Sequence, residues 1–275
     1  MVCQPRRDGI PIRRRVGHAR AGRDRILHRL CCDAVQLSPR FSGNALSRTP
    51  AATDWEGTYF DLPAIERSLR EVEANFTTIN SQLSTPREPL DRLAVANMMC
   101  GYAFIDALID GKVDLFAFGQ LRVFLELNAL VLCGRDKQVR LDWAQHLDAT
   151  DKYFFDNVDG GIRDVVEWNA LHSNESAWIR AAGVYIRILS EPELFIEGNH
   201  RTGALVMSYI LARNGHPPFV LTAERAKDFF NWSTLFSAKR KSGLLLRWQM
   251  PSLTRNFAEF LIAQADPRFL RPRRD

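Results

Sequence analysis

From residue 60 onward, apolar residues recur every three or four positions over most of the chain. In LPAIERSLREVEANFTTINSQLS (62–84) they fall at Ile65, Leu69, Val72, Phe76, Ile79 and Leu83, the spacing of a single helix face. Pro63 stands near the start of this run, where a missing N–H costs nothing. The same period predicts a second helix in TPREPLDRLAVANMMCGYAFIDALIDG (85–111), a third in DLFAFGQLRVFLELNALVLCG (114–134) and a fourth in KQVRLDWAQHLDATDKYFFDN (137–157). GIRDVVEWNALHS and ESAWIRAAGVYIRILSEP give a fifth and a sixth. A seventh, Ala204–Asn214, is stopped by Gly215 and Pro217-Pro218. TAERAKDFFNWS, with Thr222 as N-cap, and SLTRNFAEFLIAQA complete the set. FVLT (219–222) is the only short strand candidate, as part of a β-hairpin flap. The expectation is an all-α domain over 59–265, with six Trp and 17 Phe largely in its core.

Composition and charge refine this picture at the ends. Residues 1–58 are rich in Arg, Gly, Pro and Ser and lack apolar periodicity. Residues 1–50 hold 11 Arg, no Lys and three acids, a charge of 11 − 3 = +8, so the other 225 residues carry 5 − 8 = −3. The high pI therefore belongs to an Arg-rich leader, read as a disordered arm or plain tail, with an Arg-rich targeting peptide and sequence translated upstream of the true start as the alternatives. Contact with nucleic acid is expected only of that leader. Residues 266–275 form a short basic tail. No apolar run approaches the 18 residues a membrane span needs; the longest, near Ala204 to Ala212, is broken by Ser208 and Tyr209. Five Cys, with only Cys31 and Cys32 close in sequence, suit a reducing compartment and a cytoplasmic protein.

The chemistry concentrates in PELFIEGNHRTG, which runs straight into the seventh helix. A helix start offers free N–H groups and the positive end of the dipole. Gly198 and Gly203 let backbone approach a ligand, and Arg201 adds a planar donor fork suited to phosphate. Asn199, His200 and Thr202 add polar contacts, and Glu197, the acid inside the loop, suits a Mg²⁺ held beside phosphates. Together these residues predict a phosphate at a helix N-terminus. The spacing of Gly198 and Gly203 is that of a P-loop, but Ala204-Leu205 stand where Lys-Ser/Thr are required and no strand precedes. A plain helix–loop–helix turn, with Arg201 paired to a carboxylate, is the competing reading.

This loop resembles the Fic (Fido) domain, whose motif H-x-F-x-[D/E]-G-N-G-R-x-x-R enters a helix. Here the stretch reads E-L-F-I-E-G-N-H-R-T-G-A, from Glu193 to Ala204. Phe195, Glu197, Gly198, Asn199 and Arg201 match, five of eight defined positions. The helix 178–189 sits where the family places the one leading into the motif, and LELNALVLCG (125–134) is similar to Fic-like bacterial proteins. The resemblance implies that Phe195 anchors the loop, Glu197 holds Mg²⁺, Asn199 and the helix start form an anion hole, and Arg201 grips a phosphate of ATP or a related nucleotide. Glu193 stands in place of the catalytic His, His200 replaces a Gly, and Ala204 replaces the second Arg. A bulky residue at 200 is also similar to the family's kinase-like branch. His172 is a further residue able to reach the site from another element. Glu56 in ATDWEG is similar to the family's inhibitory Glu, although its Arg partner is absent.

Three functions follow as expectations. The first is a degenerate Fic-type protein that binds a Mg-nucleotide phosphate without ordinary AMP transfer. The second is a divergent transferase moving AMP or phosphate onto a protein hydroxyl, with Glu193 as base. The third is a helical interaction module with no nucleotide. The family's members meet protein targets, antitoxin-like partners or a second copy of themselves, so the resemblance implies partners of those kinds. No membrane partner is expected.

Overall fold

A computed structural model of the chain describes residues 58–157, 160–241 and 244–272. The Arg-rich leader, Glu56 and the last three residues of the basic tail lie outside the described residues. The elements run β1 (Thr58–Phe60), α1 (Leu62–Ser81), α2 (Arg92–Asp110), α3 (Arg122–Cys133), α4 (Lys137–Asp142), α5 (Ala144–Asp156), α6 (Ile162–Leu171), α7 (Ala177–Leu189), α8 (Asn199–Arg213), α9 (Ala226–Ser237) and α10 (Leu244–Gln264). A 3₁₀ turn (Pro267–Phe269) and β2 (Leu270–Pro272) follow. The fold is mostly helical, as the periodicity predicts.

The helices start where short side chains can satisfy their first amides. Asp61 accepts from Ala64 N–H before α1, Asp91 from Ala94 N–H before α2, and Ser176 from Ile179 N–H before α7. Ile65, Leu69, Val72, Phe76 and Ile79 of α1 are buried, while Leu83 lies beyond the helix end. The predicted fourth helix is two, α4 and α5, which meet at Trp143.

Helix α7 is the axis of the domain. Its residues Ala181, Ala182, Val184, Tyr185, Ile186, Ile188 and Leu189 are buried, while Trp178, Ile179, Arg180 and Arg187 are only partly so. It packs most extensively on α8, then on α10, α6 and α9, while α2 and α3 close the far side of α8. By length and composition α2 could cross a membrane, contrary to the expectation that no stretch qualifies. In this fold Val95, Met98, Tyr102, Ile105 and Leu108 of α2 join the core.

Two expectations about irregular structure change. FVLT forms no strand: the Phe219 carbonyl accepts from Tyr102 Oη and Ser208 Oγ, so side chains replace a strand partner. The short sheet lies elsewhere, as antiparallel β1 and β2. The helix start near Thr222 falls later, at Ala226.

Candidate functional site

The stretch singled out in the sequence is more helical than expected. Helix α8 begins at Asn199 rather than Ala204, so Asn199 to Gly203 form its first turn. Gly198 makes this start possible with φ 81°, a left-handed conformation that costs other residues. A Cβ there would come within 2.8 Å of Asn128 Nδ2. The first ladder bond of α8 runs from Thr202 N–H to Gly198 C=O, and no side chain caps the helix. Among the described residues, no acceptor meets the amides of Asn199, His200 and Arg201.

Two asparagines hold the turn in shape. Asn199, buried, accepts Phe195 N–H at 2.8 Å, donates to Phe195 C=O at 2.7 Å and donates to Glu193 Oε2 at 2.9 Å. Asn128, on α3 and almost wholly buried, donates to Glu197 C=O at 2.8 Å and to Thr202 Oγ1 at 3.1 Å. Its position in an otherwise apolar helix run is a signal readable in the sequence, because a buried amide requires partners. Phe195 fills the core, stacked on Phe154 with ring centroids 5.5 Å apart.

The predicted site residues therefore divide. Glu197 is exposed, with its backbone pinned by Asn128. Arg201 donates through one terminal nitrogen to Val131 C=O at 3.2 Å. Burial lowers the Arg201 pKa, against the opposing pull of Glu197, Glu88 and Asp91. Thr202 and Gly203 are buried and serve packing: a Cβ at 203 would come within 2.8 Å of the Tyr185 ring. Ala204 is likewise buried.

His200 departs from its expected place among the anion contacts. Its side chain lies within the fold, where Nε2 meets an Arg87 terminal nitrogen at 2.9 Å. Arg87 also donates to Thr234 Oγ1 at 2.6 Å, to Ser233 Oγ at 3.1 Å and to Phe230 C=O at 3.3 Å. Arg87 thus ties the segment before α2 to α9 and to the start of α8. Sequence reasoning misses it, since the only local signal is an Arg between Pro86 and Pro89. Burial, with help from Arg87 and Arg201, pushes the His200 pKa down to about 4. The ring is neutral at pH 7, and as acceptor from Arg87 it carries its proton on Nδ1, which has no partner.

A stability prediction follows from the sign of this shift. The folded pKa lies below the unfolded value of 6.5, so the contribution is fully present above about pH 6.5 and is lost as pH falls towards 4. Wild type is expected to lose roughly 2 kcal/mol more than His200→Gln between about pH 7 and about pH 5, read by urea denaturation. Equal losses in the two proteins would refute it.

Glu193 sits at the centre of the remaining charges. Burial raises its pKa despite the Asn199 hydrogen bond; Glu191 adds to the rise, and Lys241 and Arg87 oppose it. Tyr153 Oη donates to the Glu193 carbonyl at 3.0 Å, which fixes the backbone behind the carboxylate. His172 does not join this group; its ring stacks on Trp168. Among the described residues no three His, Cys, Asp or Glu side chains converge on a metal position. No protein-family model matches the chain, and no curated protein matches it.

Proposed function

We propose that the turn Glu193–Arg201 and the start of α8 bind a phosphate of a Mg-nucleotide of the ATP type, without ordinary AMP transfer. The observation that carries this reading is the uncapped start of the fifteen-residue helix α8, presented by the left-handed turn at Gly198. Asn128 and Asn199 preorganise the turn from behind, so its amides need no reorganisation on binding. Arg201 supplies a cation at the same end, and Glu197 can share Mg²⁺ with the phosphates. The Fic-like residues Phe195, Glu197, Gly198, Asn199 and Arg201 support the same ligand. The absence of His at 193 and of Arg at 204 argues against the family's usual transfer.

A second reading has one observation in its favour. Glu193 is a partly buried carboxylate with a raised pKa, hydrogen-bonded to Asn199 at the mouth of the turn. Such a group could take the proton of a protein hydroxyl attacking a nucleotide phosphorus, with pyrophosphate leaving from the opposite side when the α phosphorus is attacked and the nucleoside diphosphate leaving when the γ phosphorus is.

Titration of the purified protein with Mg·ATP decides the first reading. Saturable binding is expected, weakened about ten- to a hundredfold in Arg201→Ala. No binding at millimolar ATP would sink both readings and favour an interaction module. If ATP binds, incubation with ATP labelled at the α or γ phosphate and a cell lysate separates the two. Label transfer lost in Glu193→Ala establishes the second reading; no transfer leaves the first.

A further inference from the structure

A cavity of about 680 Å³ is lined by α6, α7 and α10 and by Lys241. This volume is within the usual range for small-molecule sites. Trp168, Leu171, Ile179, Met250 and Pro251 make much of its wall apolar. Its lining also holds two largely buried cations, Arg187 and Lys241, and one carboxylate, Asp164. Among these described lining residues the charges sum to 2 − 1 = +1, and the Glu193 carboxylate, outside the lining, also acts on Lys241. Glu175 and Arg255, both exposed at the rim, offset each other.

The two cations are held in place but incompletely satisfied. Arg187 lies over the Trp168 ring, 4.8 Å from its centroid. Its Nε is 3.4 Å from Asp164 Oδ2, yet Nε and one terminal nitrogen make no hydrogen bond although both are out of reach of water. Lys241 is fixed through its backbone: Glu191 N–H donates to Lys239 C=O at 2.7 Å, and Lys241 N–H donates to Glu191 C=O at 2.8 Å. Its Nζ donates to the carbonyls of Gly160 and Pro192, which leaves one of its three N–H bonds for another acceptor. Burial lowers the pKa of Arg187 to about 10 and that of Lys241 to about 8. A buried, under-neutralised cation pair is costly unless an anion completes it.

We propose that this cavity binds a small amphipathic monocarboxylic acid, its carboxylate between Arg187 and Lys241 and its apolar body along Trp168, Ile179 and Met250. The unmet Nε and terminal N–H groups of Arg187 and the third N–H of Lys241 suit the two oxygens of a planar carboxylate. A phosphate dianion would overshoot the charge. The inference does not rest on the nucleotide reading, because no residue of the α8 turn lines the cavity.

Fluorine NMR with 4-fluorocinnamate as probe, and octanoate as competitor, tests it on the whole protein. Saturable line broadening at millimolar or lower concentration is expected, reversed by octanoate and unchanged in Arg201→Ala. Cinnamamide, which lacks the charge, should compete at least about tenfold more weakly than cinnamate. Arg187→Met and Lys241→Met should each weaken binding by about tenfold or more, with folding checked by circular dichroism. The comparison of acid with amide in wild type stands even if either variant fails to fold. No saturable binding, an amide as potent as the acid, or folded variants that bind like wild type would overturn the proposal. Tighter binding of phenyl phosphate than of cinnamate would overturn the carboxylate assignment.

Discussion

Gly183→Ala is expected to lower stability by about 4 kcal/mol, a fall in melting temperature of roughly 10 °C. Gly183 lies on α7 where α6 crosses it, and the indole of Trp168 rests directly on the glycine. A Cβ there would stand 1.9 Å from Trp168 Cη2 and 2.3 Å from Cζ2. The indole cannot simply retreat. His172 stacks on it with centroids 3.9 Å apart, and the Arg187 guanidinium lies 4.8 Å from its centroid. Relief requires α6 and α7 to separate, which opens a well-packed contact. Urea denaturation of the single variant beside Gly183→Ala/Trp168→Leu checks the cause. The double variant should recover part of the loss, because the smaller side chain yields space. A single variant within about 1 kcal/mol of wild type would show that the contact is softer than its geometry implies.

Asn199→Ala is expected to cost about 3 kcal/mol and to abolish Mg·ATP binding at the concentrations that saturate wild type. One buried side chain meets the Phe195 N–H, the Phe195 carbonyl and the Glu193 carboxylate. Its removal leaves three polar groups to find new partners, and two of them are backbone atoms of a buried residue. The turn that presents the amides of α8 then has no internal brace. Asn199→Asp separates bracing from charge. It keeps the acceptor for Phe195 N–H but sets a carboxylate against Glu193, so it should be as unstable as Asn199→Ala near pH 7 and recover in acid as the pair takes up a proton. Denaturation at both pH values and ATP titration of each variant check this; full ATP binding by folded Asn199→Ala would remove Asn199 from the site.

Much of the fold was legible in the chain because burial writes itself at intervals of three and four. Ile65, Leu69, Val72, Phe76 and Ile79 are one face in the sequence and one face in the structure. Local reasoning failed where the deciding contact is remote. Gly203 reads as loop, yet it is helical and is small because Tyr185 of α7 passes close by. The start expected from the sequence, Ala204, accordingly falls five residues after the observed Asn199. Strands of three residues, paired across the whole domain, carry no periodic signal. In the site, Asn199 and Gly198 were visible as a motif, but the inward turn of His200 was not. It depends on Arg87, whose course between two prolines to α9 no local pattern encodes. The cavity is harder still, since Trp168, Arg187 and Lys241 come from three separate stretches of chain.

The pairing of β1 with β2 has a topological consequence. Thr58 opposes Pro272 and Phe60 opposes Leu270, so the first and last described residues of the fold lie side by side, about 5 Å apart. Asp61, which caps α1, also pairs with Arg271 and ties these two ends together. Seen as a circuit, the domain is a nearly closed loop. A short bridge from Pro272 to Thr58 would make it a ring, and the ring could be reopened at an exposed turn as a circular permutant. For the same reason it has the geometry of a cassette that a host protein could carry within one of its own loops, both junctions lying side by side.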